Sequence, residues 1–217
     1  MNKLLEKLLN KLPFVIVFAH QKGGSGKSTI CMNVSTELSK QFTTTFIDFD
    51  KLQQMTKYNN NREEPINSVV IKDERKLEQF LRNDKGLTVI DLGGYDSDLS
   101  RVVLLLADMI IIPMSDSDND IDGFREFSHL IEKTFKIRTD SKAFILVNRV
   151  HHADKSTHRG LTKYVENTIF NVFDTVVRDN KLHTRLLSTG KNVVEKQFFS
   201  KPSKEIQSLV QEIIEKA

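Results

Sequence analysis

The chain has 217 residues, 39% hydrophobic and 28% charged, with a formal net charge of +3. That is enough apolar material for a core beneath a solvated surface. It excludes disorder, collagen-like repeats and a membrane-spanning protein, because no apolar stretch approaches the ~20 residues a spanning helix needs. The single cysteine, Cys31, excludes a disulfide framework or a multi-cysteine metal site built by one chain, and points to a reducing, cytoplasmic compartment.

Residues 1–12 place Leu4, Leu5, Leu8, Leu9 and Leu12 at helical spacing between lysines, and Pro13 ends the pattern. The spacing predicts a short amphipathic helix packed on the body, followed by one domain over 13–217. The run FVIVFA at 14–19 has the length and continuity of a strand buried on both faces. A glycine-rich turn and a helix over about 27–40 follow, then a strand at 44–48. Further apolar runs ending at polar residues lie at 88–91, 109–113 and 143–148. Helical stretches at roughly 74–84, 98–107, 121–134 and 158–169 separate them. This alternation predicts an α/β fold, a doubly wound and mostly parallel sheet with helices on both faces, whose ligands bind at the carboxyl ends of the strands. Phe198-Phe199 is expected to pack against the final helix. The charge excess falls within 151–217, the first 150 residues being balanced.

Lys22-Gly23-Gly24-Ser25-Gly26-Lys27-Ser28-Thr29 directly follows the first strand and opens a helix. Glycines let the backbone curl until successive N–H groups face phosphate oxygens, and the helix N-terminus adds positive partial charge. Lys27 supplies an ammonium to the β- and γ-phosphates and Ser28 a hydroxyl for Mg2+. Asp48 and Asp50 end the second strand on one side of it. Taken singly, such a pair also reads as a cap on the following segment. Asp91 ends the 88–91 run before Gly93-Gly94, the arrangement in which a carboxylate holds Mg2+ directly or through water. Asn148 closes the 143–148 run, where a turn-starting asparagine is an almost equal alternative to a binding residue.

A KGGSGKST loop with a leading lysine resembles the deviant Walker A box of the ParA/MinD ATPases. The later motifs recur in that family's order over nearly the whole chain. The likeness is nearest to small, single-domain ParA-type plasmid partition ATPases. It implies a P-loop NTPase using ATP and Mg2+, with slow hydrolysis until a small centromere-binding partition protein stimulates it. It also implies a homodimer that sandwiches nucleotide and binds nonspecific DNA, hence a cytoplasmic, nucleoid-associated protein.

In such a dimer Lys22 reaches the partner's phosphates, and Lys22, Lys27 and Asp50 are the catalytic groups. Gly23, Gly24, Ser25, Gly26, Lys27, Ser28 and Thr29 cradle the phosphates and Asn148 meets the adenine. Ser28, Asp48 and Asp91 hold the metal, and Pro113 to Asp116 line the interface. Arg178, Lys181, Arg185 and Lys191 are the expected DNA contacts. The sequence departs from the family at His20, where asparagine is usual, and at Lys51 and Leu52, which replace the proline and glutamine of Asp-x-Asp-Pro-Gln. A MinD-like membrane-surface ATPase is the alternative. The acidic tail IQSLVQEIIEKA argues against it, and membrane is not an expected partner.

Overall fold

The structure, a computed structural model, describes residues 3–94, 97–154 and 156–217. Its centre is a seven-stranded sheet in the order β3-β2-β4-β1-β5-β6-β7. The strands are β1 (Phe14–Ala19), β2 (Thr44–Asp48), β3 (Asn67–Ser68), β4 (Leu87–Leu92), β5 (Met109–Met114), β6 (Lys142–Val150) and β7 (Phe170–Arg178). Every pairing is parallel, so the sheet is wholly rather than mostly parallel.

Period-two alternation divides the core into two layers. Phe14, Ile16 and Phe18 of β1 face a cluster shared with α2 (Lys27–Ser39) and α10 (Lys201–Lys216). Val15, Val17 and Ala19 face the opposite cluster, built with α4 (Glu74–Asn83), α5 (Asp98–Leu106) and α6 (Asp118–Phe135). Both faces being covered is why β1 and β5 read as near-continuous apolar runs and every residue of β4 is buried.

Helix α1 (Lys3–Leu9) lies on the first layer through Leu8, which is fully buried. Lys7 and Lys11 donate to the carbonyls of Glu215 and Ala217, placing cations on the C-terminus of α10. Met1, Asn2 and the Leu4 side chain of the expected helix lie outside the described residues.

Strand β3 and the short helices at Gln54–Asn60, Leu182–Arg185 and Val193–Lys196 lie outside the expected elements, and three further features differ from expectation. The helix expected at 158–169 ends early as α7 (Thr157–Tyr164), and the sheet gains β7 at its edge. The β6–β7 register jumps from Ile145↔Val172 to Val147↔Val176. Within that irregularity the Asp174 and Thr175 amides donate to the Glu212 carboxylate of α10 at 2.7 and 2.9 Å. This broken alternation hid the strand in the sequence. Phe198 and Phe199 also differ, being 54% and 83% exposed, since Ile206, Leu209, Val210 and Ile213 already fill the inner face of α10.

Candidate nucleotide site at the carboxyl end of the sheet

The phosphate loop leaves β1 and enters α2 through two left-handed glycines, Gly24 at φ 86° and Gly26 at φ 85°. Only glycine adopts such angles without strain. Gly26 is also hemmed in, because a Cβ there would collide with the amide of Asn148. The loop therefore presents its N–H groups at the helix start, where anions bind. Opposite it, Gly94 backs onto the Gln21 carbonyl so closely that no side chain fits, which brings the end of β4 against the loop.

Lys27 is buried and bridges two strand-end acids, with Nζ 3.0 Å from both Asp50 Oδ2 and Asp91 Oδ1. Burial opposes its charge, but Asp91 and Asp50 more than compensate and raise its pKa. Burial dominates at Asp91, which is fully enclosed, and pushes that carboxyl up despite Lys27 and the neighbouring Ser28 hydroxyl. Asp50 is lowered: burial works against it, but the Leu52 N–H and Lys27 outweigh burial. Asp48 lies apart from this bridge. Its carboxylate accepts from Asp50 N at 3.1 Å and from Thr56 N and Oγ1 at 2.9 and 3.0 Å. It thereby restrains the turn into α3 (Gln54–Asn60), the capping role left open by the sequence.

A cleft of about 210 Å3 over the loop is lined by Lys22, Lys27, Ser28, Asp50 and Gly94. A second of about 440 Å3 shares Gly24, Gly26 and Thr29 with it and runs on past Asn148, Arg149, Arg178, Lys181 and His183. Together they form a trough with a cationic loop at one end and a mixed wall at the other. Buried polar atoms without a partner among the described residues include both ring nitrogens of His183 in the far wall and, at the phosphate end, Ser25 Oγ in the loop and Asp91 Oδ2. A phosphate oxygen and a magnesium shell would satisfy the last two, so the residues present fit both groups.

The other expected site residues scatter. Asn148 donates Nδ2 to the Ser25 carbonyl at 2.7 Å, so its amide braces the phosphate loop from β6. Arg178 lies in the cleft wall and pairs with Glu205 at 2.9 Å. Lys181 lies in the same wall, at the mouth of α8 (Leu182–Arg185). Arg185 is exposed, and Lys191 pairs with Glu63 at 3.3 Å. Sequence reasoning gave no role to Arg149, which the β6–β7 irregularity turns to φ 59° and which donates Nη1 to the Gly24 carbonyl.

The loop, its bridging lysine and the acids at the ends of β2 and β4 agree with a family comparison. The model described as the CobQ/CobB/MinD/ParA nucleotide binding domain matches residues 16–193. The chain belongs to this ParA/MinD family. Among curated proteins, the Protein ParA of Rhizobium radiobacter is 32% identical over 106 residues, 46% of this chain and 48% of that protein. The maintenance of carboxysome distribution protein A of Halothiobacillus neapolitanus is 23% identical over 84% of this chain and 87% of its own. Among solved structures, the Mg-ADP complex of the septum site-determining protein MinD from Pyrococcus horikoshii superimposes with a TM-score of 0.72, at 14% identity, covering 92% of this chain and 95% of that one. Members of this family are ATPases that work with partner proteins, and the fold here is theirs. Among the described residues, no helix is long and apolar enough to cross a membrane.

Proposed function

We propose that this protein is a ParA-type DNA partition ATPase. Two copies join around ATP, hold nonspecific DNA, and separate when a small centromere-binding partner stimulates hydrolysis. The observation that carries this reading is the contrast between the loop's two lysines. Lys27 is buried and already neutralised by Asp50 and Asp91, whereas Lys22 stands exposed at the rim of the same cleft. A cation kept at the rim suits a phosphate held by a second copy. The ParA relative and the Mg-ADP complex of MinD support nucleotide and magnesium as ligands.

Bound nucleotide brings the γ-phosphoryl group, and magnesium brings charge neutralisation on its oxygens. Gly23 to Thr29 donate backbone N–H groups to the phosphates. Ser28 and Asp91 adjoin and would hold the metal, with Asp48, whose oxygens are engaged by Thr56, acting through water. Lys27 exchanges Asp50 for a phosphate oxygen. Asp50, freed and kept ionised by the Leu52 N–H, orients the attacking water. Lys22 from the second copy offsets charge building on the γ-phosphate. Asn148 and Arg149 keep the loop carbonyls turned away from the anion, and the cleft beyond them, with Arg178 and Lys181, takes the nucleoside. Exposed Arg185 and the outer side of Lys181 remain for DNA phosphates.

The curated carboxysome relative favours a second reading, in which the cargo is a protein body rather than a plasmid. A membrane-surface role is disfavoured because the apolar face of α10 is spent in the core. The test is mass in solution with ADP and with AMPPNP. A doubling with AMPPNP alone that Lys22→Ala weakens, together with DNA retention only in the doubled form, is expected. Equal masses in all conditions would overturn the sandwich.

A further inference from the structure

Lys22 is seated by two residues that lie outside the KGGSGKST loop itself, His20 and Gly123. Gly123 lies in the second turn of α6, directly beneath it. A Cβ there would fall inside the envelope of Lys22 Cγ and stand 3.2 Å from Lys22 Cβ and 3.1 Å from His20 Cε1. Glycine weakens a helix interior relative to alanine, so a glycine here calls for a steric reason, and the lysine stem supplies it. His20, at the foot of the loop, is 1% exposed. Its Nδ1 accepts the Lys22 backbone N–H at 3.0 Å, which assigns the proton of the neutral ring to Nε2. Across from it, the Asp120 carboxylate of α6 is held by the Ser115 N–H and hydroxyl at 2.8 and 2.7 Å. The first turns of α6 thus form a fixed wall against which both His20 and Lys22 rest.

We propose that His20 and Gly123 are positioning residues for Lys22. The imidazole fixes the lysine's backbone, and the missing β-carbon opens a groove for its stem. The ammonium is then presented outward at the mouth of the phosphate loop before a second copy arrives. A lysine held in this way has less side-chain freedom to lose on assembly, so the seat strengthens the dimer without touching nucleotide. This inference rests on the sandwich reading above.

The experiment uses the full chain and two readouts, AMPPNP-dependent dimerisation by sedimentation and binding of a fluorescent ADP to the monomer. Gly123→Ala is expected to raise the dimer dissociation constant by about tenfold or more while ADP binding stays within about twofold. In a Lys22→Ala background the same change should add nothing further, because the stem it displaces is gone, whereas a purely structural effect would add in full. His20→Ala should act like Gly123→Ala. His20→Asn should restore dimerisation, since an asparagine oxygen also accepts the N–H two residues on. Gly123→Ala or His20→Ala dimerising as wild type, or losses that add fully to Lys22→Ala, would overturn the seat. Should Gly123→Ala fail to fold, the His20 pair carries the test alone, and equal dimerisation by His20→Ala and His20→Asn overturns it. If the wild type does not dimerise with AMPPNP, the sandwich reading fails first, and the seat with it.

Discussion

The phosphate end of the trough draws Lys22, Lys27 and Ser28 from one unbroken stretch. Its far end takes Asn148 and Arg149 from β6, Arg178 from β7, and Lys181 and His183 from the chain beyond. At the first end, backbone N–H groups and a helix terminus are what a phosphate would meet, so a short run of glycines suffices. At the second, side chains from distant strands must converge, and their meeting depends on how the sheet closes at its edge. The two ends are coupled where Asn148 grips the Ser25 carbonyl and Arg149 the Gly24 carbonyl.

Substitutions at the two ends should therefore differ in size and kind. Lys27→Ala is expected to lower ATP turnover by at least about a hundredfold in a phosphate-release assay, since it removes a charge aimed at the reacting group. It also strands Asp91, fully buried, without its cation, so the thermal midpoint should fall as well. Asp50→Ala should lose about a hundredfold in turnover yet keep AMPPNP-driven dimerisation, a separation that identifies it with chemistry rather than binding. Asn148→Ala acts on the coupling between the ends. Loss of one buried hydrogen bond, about 1–2 kcal/mol, should weaken ATP and ADP alike by roughly tenfold in fluorescent-nucleotide titrations. If ATP were weakened and ADP spared, Asn148 would be acting on the γ-phosphate rather than on the loop.

A finer comparison sets Arg178 against Arg185. Arg178→Ala should weaken nucleotide binding a few-fold through the cleft wall, while Arg185→Ala should leave it unchanged and weaken DNA pelleting in AMPPNP. The smallest effect concerns pH. Burial lowers His183 in the far wall and also His20 at the loop, so each holds fewer protons folded than unfolded. Their contribution to stability is complete above the unfolded value of about 6.5 and is lost as pH falls below it toward the folded value. His183→Gln should flatten that decline in denaturant titrations run between neutral and mildly acidic pH.

Phe14–Ala19, the glycine loop and the acids at 48, 50 and 91 were legible in the chain because each is a local pattern. Continuous hydrophobicity marks a doubly covered strand, and glycine spacing marks a phosphate cradle. The strand β7 was not, because the irregularity settled by Glu212 destroys the alternation that would announce it. The surroundings of the basic residues were hidden for a related reason. Net charge counts Arg178 and Lys191 as surface cations, but folding pairs them with Glu205 and Glu63, far away in sequence. Asn148 was expected at the adenine, and the structure shows its amide on the Ser25 carbonyl, a partner that only the backbone path of the loop supplies.

Local chemistry thus specified the phosphate cradle and the layered α/β scaffold, since backbone curvature and period-two burial depend on neighbours in the chain. Three-dimensional packing settled which carboxylates share Lys27, where the far wall of the trough stands and why a β-carbon at position 123 would meet Lys22. Those depend on contacts between segments tens of residues apart, which no local pattern encodes.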